Sequence, residues 1–362
     1  MKKIAILTTN IGNSGGTERV VSFVANNFSK KNDVTVYSMV KASISTFYEL
    51  DSKISIRYLN LYQYEHEKRV IFKSIKKVWN TISFFCKVKN IDADVIIGTS
   101  KSINIYLSLL SFFSKKKIIG CEHFAHNAPM SKFIKKIRLV AYKRLDRLIV
   151  LTLFDYNYYK SKGIKTEIIP NAIPFQINQR PEHRAKIILA VGRHSIQKRF
   201  DLLLRIWLKA RLYEHGWQLK IIGDGELFDR NKSLAIDLGI AESVFFEPPT
   251  KNIVDEYLNA SFFVLTSEYE ALPMVLIESM YCGLPCIAFD CDTGPRDIIE
   301  DNVDGFIVPF GNIELFSQKM ILLSNNDVRL KEMSTSAVLN ISRFSAQNIY
   351  EKWNGLIRDI YE

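Results

Sequence analysis

Short apolar runs alternate with longer stretches of helical periodicity along the whole chain. In the first half the runs 4–8, 34–37, 95–97, 117–120 and 148–151 read as strands with amphipathic stretches between them, the alternation expected of parallel β-α-β units. A second series opens at Ala185, with strands expected at 187–191, 219–222, 262–265, 285–289 and 306–308, each followed by a plausible helix. Between the two series Pro170 and Pro174 and a polar stretch up to Arg184 carry no periodicity and predict a linker. The expected architecture is therefore α/β, with two doubly wound parallel sheets in tandem. The domains run 1–172 and 185–345, joined by a linker over 173–184 and followed by a terminal helix over 346–362. That helix gathers Ile349, Trp353, Leu356, Ile357 and Ile360 on one face, which needs a surface to cover.

Composition agrees with a folded two-domain enzyme. The chain has 362 residues, 47% of them apolar and 24% charged, with no repeat or low-complexity tract. Cys86, Cys121, Cys282, Cys286 and Cys291 form no C-x-x-C pair, so neither a disulfide framework nor a zinc site is expected. The apolar run after Met1-Lys2-Lys3 is too short for a secretory signal and passes into Thr8, Thr9 and Asn10, as a first strand would. No apolar run approaches the ~18 residues of a membrane span, which points to a cytoplasmic protein.

Charge changes the picture more. Against a net +11 for the whole chain, residues 1–170 carry 29 Lys/Arg and 12 Asp/Glu, a balance of +17 that leaves −6 for the remainder. The halves must meet different partners, and the first suits an anionic surface. Two basic amphipathic stretches, 68–87 and 132–144, carry much of it; in the first, Val70, Ile71, Ile75, Val78, Trp79 and Ile82 share a broad face with lysines opposite. Such a face can lie in the headgroup layer of an anionic bilayer or pack on the sheet as crossover helices do, and both are expected together. No nucleic-acid-binding module accompanies the charge, so nucleic acid is not an expected partner.

Three segments carry candidate chemistry. In the stretch from Thr266 to Cys286, a strand end leads through a loop with Glu270 into a helix opened by Pro273, stopped by Gly283 and bearing Glu278. The free N–H groups of Leu272, Pro273's neighbour Met274, and Val275 can bind an anion or sugar hydroxyls, and a carboxylate accepts from paired hydroxyls. From spacing alone Glu270 can equally be a capping acid and Glu278 a surface decoration. In Val191-Gly192-Arg193-His194-Ser195-Ile196-Gln197-Lys198 a strand ends in a Gly-Arg turn, and Arg193 with Lys198 could neutralise a departing diphosphate without a metal. The third, Gly12 to Glu18 with Gly15 and Gly16, is a glycine turn between the first strand and helix; it matches neither G-x-G-x-x-G nor a P-loop. Two D-x-D triplets, at Asp92/Asp94 and Asp290/Asp292, are discounted as metal ligands because the first precedes a strand as its lead-in turn and the second lies in a distal loop.

Together these residues resemble the family-4 retaining glycosyltransferases of the GT-B fold, over nearly the whole chain. The resemblance includes the turn Gly223-Asp224-Gly225, the linker Pro170-Asn171 and the loop Asp290 to Pro295. It implies two Rossmann-like domains facing across a cleft, with the terminal helix crossing back to the N-terminal domain. It assigns Arg193 and Lys198 to the donor diphosphate, Glu278 to the ribose, and Glu270 with the amides of Leu272, Met274 and Val275 around Pro273 to the donor sugar. Gly15, Gly16 and Gly223 approach the donor as backbone, and His123, rather than His126, lies near the transferred sugar. The activity implied is metal-independent transfer of a hexose or N-acetylhexosamine from a nucleotide sugar, a UDP-sugar first, to a lipid-linked or lipopolysaccharide glycan. No cofactor is expected, and the place implied is the inner face of the cell membrane. Phe246-Glu247-Pro248-Pro249 departs from the pattern where relatives carry glycine, which leaves the base open. A sugar-nucleotide epimerase of the same fold and a non-catalytic donor-binding subunit are the alternatives.

Overall fold

A computed structural model describes residues 1–13, 15–41, 46–61, 70–127 and 130–361, with the backbone alone for 70–78. The chain forms two compact units, Met1–Ala172 with Ile349–Glu362, and Ile173–Asn348.

The first unit holds seven parallel strands: β1 (Lys3–Thr8), β2 (Asp33–Ser38), β3 (Ser55–Tyr58), β4 (Val95–Gly98), β5 (Lys117–Cys121), β6 (Arg147–Val150) and β7 (Thr166–Ile168). Their order, β3-β2-β1-β4-β5-β6-β7, reverses between β1 and β4, as in a doubly wound sheet. The central strand β4 is buried at every residue, whereas β3 is half exposed. Helix α1 (Gly16–Phe28) covers one face together with the terminal helix, whose Ile349, Trp353, Leu356, Ile357 and Ile360 join Ile4, Ile6, Val24 and Phe28 in one core. The rings of Phe28 and Trp353 meet edge to face at 6.0 Å.

The other face carries α2 (Val70–Lys89), α3 (Lys101–Leu110), α4 (Lys132–Tyr142) and α5 (Leu153–Ser161). Lys68 and Arg69 lie outside the described residues, as do the side chains of Val70, Ile71, Ile75 and Val78. The described part of α2 packs through Phe84 and Val88 and turns Trp79 and Ile82 outward, 65% and 55% exposed. Helix α4 is inside-out. It buries Arg138, Ala141 and Tyr142, yet exposes Phe133 (72%) and Val140 (70%) among Lys132, Lys136 and Lys143. No helix among the described residues is long and apolar enough to cross a membrane.

The second unit holds β8 (Ile187–Val191), β9 (Gln218–Ile222), β10 (Val244–Glu247), β11 (Phe262–Leu265), β12 (Cys286–Asp290) and β13 (Gly305–Pro309) in the order β10-β9-β8-β11-β12-β13, all parallel. Its helices are α6 (Phe200–Ala210), α7 (Phe228–Asp237), α8 (Ile253–Asn259), α9 (Met274–Tyr281), α10 (Pro295–Ile298), α11 (Ile313–Ser324) and α12 (Asp327–Ile341), and the terminal helix is α13 (Ala346–Asp359). The order reverses between β8 and β11, which opens the carboxyl ends of both strands to a ligand. Residues 173–184 are tied to this unit rather than hanging free. Arg180 donates twice to the Tyr281 carbonyl, and Arg184 donates to the carbonyls of Tyr257, Leu258, Ala260 and Cys282, satisfying oxygens left bare at the ends of α8 and α9.

Candidate active site

In the second unit the expected residues converge on the carboxyl ends of β8, β9 and β11. Two glycine turns interlock there. A Cβ on Gly223 would stand 1.9 Å from the Gly192 carbonyl oxygen, and one on Gly225 2.6 Å from that of His194, so only glycine allows the turns after β8 and β9 to lie back to back. The His194 N–H donates to the Asp224 carbonyl at 2.6 Å, and the Leu227 N–H to that of His194 at 2.9 Å. Beneath them the buried His194 ring pairs through Nδ1 with Asn231 at 2.9 Å and packs edge-on against Phe200 and Phe228. Burial lowers its pKa, so it is a neutral plug under the Gly-Arg turn. Arg193 stays exposed, and no described carboxylate pairs with it.

Lys198 ends a single 3-10 turn (Ile196–Lys198), and the chain leaves it through Arg199 at φ 51°, a left-handed backbone held by ion pairs to Asp201 and Glu268. The turn is fastened to the loop after β11. The Thr266 hydroxyl donates to the Lys198 carbonyl at 2.9 Å, Gln197 to that of Tyr269 at 2.7 Å, and the Glu268 N–H to that of Gln197 at 2.8 Å. Lys198 Nζ thereby reaches Glu270 Oε1 at 2.6 Å, with both side chains mostly buried. The Thr293 hydroxyl donates to the Glu270 carbonyl.

Helix α9 starts beside this pair. Pro273 is its N-cap rather than a residue of the first turn, and Glu278 sits little more than one turn in. The N–H groups of Leu272, Met274 and Val275 donate to no described acceptor, so the helix presents open donors and the positive end of its dipole. Glu278 is not a surface decoration, being only 7% exposed and accepting from the Tyr257 hydroxyl at 3.0 Å. Burial, and then the Glu278 charge, hold the Tyr257 phenol protonated.

In the first unit Gly15 caps α1 and Gly16 opens it. The Glu18 carboxylate folds back so closely that a Cβ on Gly15 would meet it at 2.6 Å, and burial raises its pKa. His123 follows β5 with both ring nitrogens buried and without a hydrogen-bond partner among the described residues, and burial lowers its pKa to about 4. His126 is engaged instead. Its Nδ1 and its N–H both lie 2.8 Å from Asp155 Oδ1, and its ring stacks on Tyr158 at 3.8 Å.

Three of the aspartates in the two D-x-D triplets are engaged within the protein. Asp94 accepts from the Lys3 N–H, Asp92 pairs with the Lys3 ammonium, and Asp290 with Arg296. Residues that the sequence did not single out are Glu18, Thr266, Tyr257, Asn231 and Thr293. Tyr257 lies 21 residues before the carboxylate it holds, and no local pattern links the two.

The pattern of the family described as "Glycosyl transferases group 1" matches residues 173–338, which contain the whole of this second constellation. Over 99% of its length the chain is 33% identical to the amylovoran biosynthesis glycosyltransferase AmsD of Erwinia amylovora, covering 100% of that protein. The chain belongs to the group 1 glycosyltransferases. The chain is also similar to a Campylobacter jejuni alpha-1,4-N-acetyl-D-galactosaminyltransferase named for a substrate linked to PP-undecaprenol, 27% identical over 99% of each chain. Among solved structures, Anabaena HepE in complex with UDP and glucose matches with a TM-score of 0.82 at 16% identity, over 99% of this chain and 100% of that one. The fold is thus that of the GT-B glycosyltransferases, with two parallel-sheet Rossmann-like domains.

Proposed function

We propose that this group 1 glycosyltransferase moves a hexose or N-acetylhexosamine from a UDP-sugar to a lipid-linked or lipopolysaccharide glycan, with retention of configuration and without a metal. The observation that carries the reading is the buried Lys198–Glu270 pair at 2.6 Å beside the open amides of α9. A cation suited to a diphosphate and a carboxylate suited to sugar hydroxyls, side by side on a strand-end loop, support this reading. Lys198 and the exposed Arg193 neutralise charge on the leaving diphosphate, which supplies the electrostatic assistance a metal gives elsewhere. Glu278, held by Tyr257, accepts from the ribose hydroxyls. Glu270 and the amides orient the sugar, Gly15, Gly16 and Gly223 let backbone come close to the donor, and His123 acts at the transferred sugar as a neutral imidazole.

The acceptor side rests on the first unit. Its excess of positive charge and the outward Phe133, Ile134, Ile137 and Val140 of α4 suit the anionic headgroup layer of a membrane, where a lipid-linked acceptor resides. The HepE complex with UDP and the Campylobacter relative's named substrate support a UDP-sugar and a lipid-diphosphate glycan.

The test is thermal unfolding with UDP-, GDP- and ADP-sugars in the presence of a chelator, on the native protein and on Glu278→Ala. Ligand at a hundredfold over its Kd adds about 2.7 kcal/mol, a rise of roughly 5 °C. UDP-sugars should give that rise in chelator and Glu278→Ala should lose it. A rise that requires added divalent ion would overturn metal independence, and no rise with any nucleotide would overturn the donor site.

A further inference from the structure

His123 poses a problem of orientation. An imidazole that meets a sugar must point in one direction, yet neither of its ring nitrogens has a hydrogen-bond partner among the described residues to set that direction. Its aim has to be set by the backbone on either side of it, and both sides are gripped from α4. On one side Glu122, nearly fully buried, accepts from the Tyr142 hydroxyl and faces Arg138, with Nη1 at 3.8 Å from Oε2. On the other the His126 carbonyl accepts from Arg138 Nη2 at 3.1 Å, and Asp155 on α5 holds the His126 N–H and ring.

Arg138 is a costly way to pack a helix. It is 1% exposed, its Nε and Nη1 have no hydrogen-bond partner among the described residues, and its pairing with Glu122 leaves Oε2 equally bare. An apolar residue would fill this place without stranding a charge. Meanwhile α4 turns apolar side chains outward, the reverse of the pattern that burial alone would produce. What an arginine offers, and an apolar residue does not, is a fork that reaches two points of the His123 loop at once.

We propose that Arg138 and Tyr142 are positioning residues for His123, fixing the direction of its ring by holding Glu122 and the His126 carbonyl. This rests on the reading of His123 as the group that acts at the transferred sugar. It also makes α4 the mechanical link between the outward basic and apolar face and the His123 loop.

The experiment follows His123 itself. Histidine-selective NMR of the full-length protein, with the His123 signal assigned by its loss in His123→Gln, is recorded for the native chain, Tyr142→Phe, Arg138→Met and Arg138→Lys. Carbethoxylation of His123 by diethyl pyrocarbonate is timed in parallel. Tyr142→Phe and Arg138→Met should displace or split the His123 signal and raise its carbethoxylation rate at least fivefold, with Arg138→Lys falling between. UDP-induced thermal stabilisation, which reports on the second unit, should stay as in the native chain. A His123 signal and reaction rate within twofold of native in the folded variants would overturn the proposal and leave the cluster purely structural. Should Arg138→Met fail to fold, Tyr142→Phe decides alone. Absence of UDP stabilisation in the native chain would count against the donor reading, while the NMR result would still judge the positioning of His123.

Discussion

The two units treat their candidate residues in opposite ways. In the second, the candidate lysine and carboxylates are tied to the protein itself, Lys198 to Glu270 and Glu278 to Tyr257, and the turns after β8 and β9 to each other. In the first, the His123 ring nitrogens have no hydrogen-bond partner among the described residues, and Glu18 is folded over its own helix start. A site assembled in advance loses little order when a ligand arrives, whereas a bare imidazole depends on the rigidity of what surrounds it. On the proposed reading, the contrast gives the tight, preformed chemistry to the donor side and leaves the first unit to adapt.

The sharpest way to break that contrast is Gly223→Ala. With a Cβ forced to 1.9 Å from the Gly192 oxygen, the turns must part, costing ~3 kcal/mol of stability and abolishing UDP-dependent stabilisation. Denaturant unfolding and thermal shift measure both, and undiminished binding would show that the interlock does not shape the site.

A smaller effect lies in the first unit. His123 titrates at about 4 in the fold against an ordinary 6.5, so the unfolded chain takes up its proton first as pH falls. The stability this contributes is complete above pH 6.5 and is lost progressively toward pH 4, about 2 kcal/mol after allowing for partial exposure. His123→Asn should flatten that slope in urea titrations run between these pH values, and an unchanged slope would mean that the imidazole is hydrated.

Smaller still is the membrane term. Lys132→Glu with Lys136→Glu should weaken sedimentation with anionic vesicles by about 1 kcal/mol for each lysine removed, and leave binding to neutral vesicles alone. Equal binding to both vesicle types would remove charge from the account. The least effect is expected of Gly16→Ala, where no atom lies within 4 Å of the new Cβ and a helix gains an alanine. Stability should rise by at most ~1 kcal/mol, in contrast to the same substitution at Gly223.

The sequence made the second unit's constellation legible because its devices are local. Glycines, a proline and charged residues at fixed spacing name a turn, a helix start and a pair of carboxylates within one stretch of chain. Tyr257 and Asn231 escaped because they act on residues far along the chain, through packing that no pattern announces. The central strands were equally plain, being apolar throughout, whereas β3, β7 and β10 were not anticipated. These three lie at sheet edges, where a half-exposed strand such as Ser55–Tyr58 lacks the continuous apolar run. Helix α4 shows a different limit. The sequence expected one stretch both to pack and to face outward without saying which residues do which, and it is Arg138 and Tyr142 that pack while Phe133 and Val140 are exposed.

The return of α13 to the first core has a consequence for how the protein is made. Val24, Phe28 and Ile4 share their core with Trp353 and Leu356, residues synthesised only after the entire second unit. At about 5–20 residues per second, that apolar face stands open on the nascent chain for roughly ten seconds or more. The second unit, contiguous from Ile173 to Asn348, can fold as soon as it emerges. The domain that begins the chain is therefore the second to be finished.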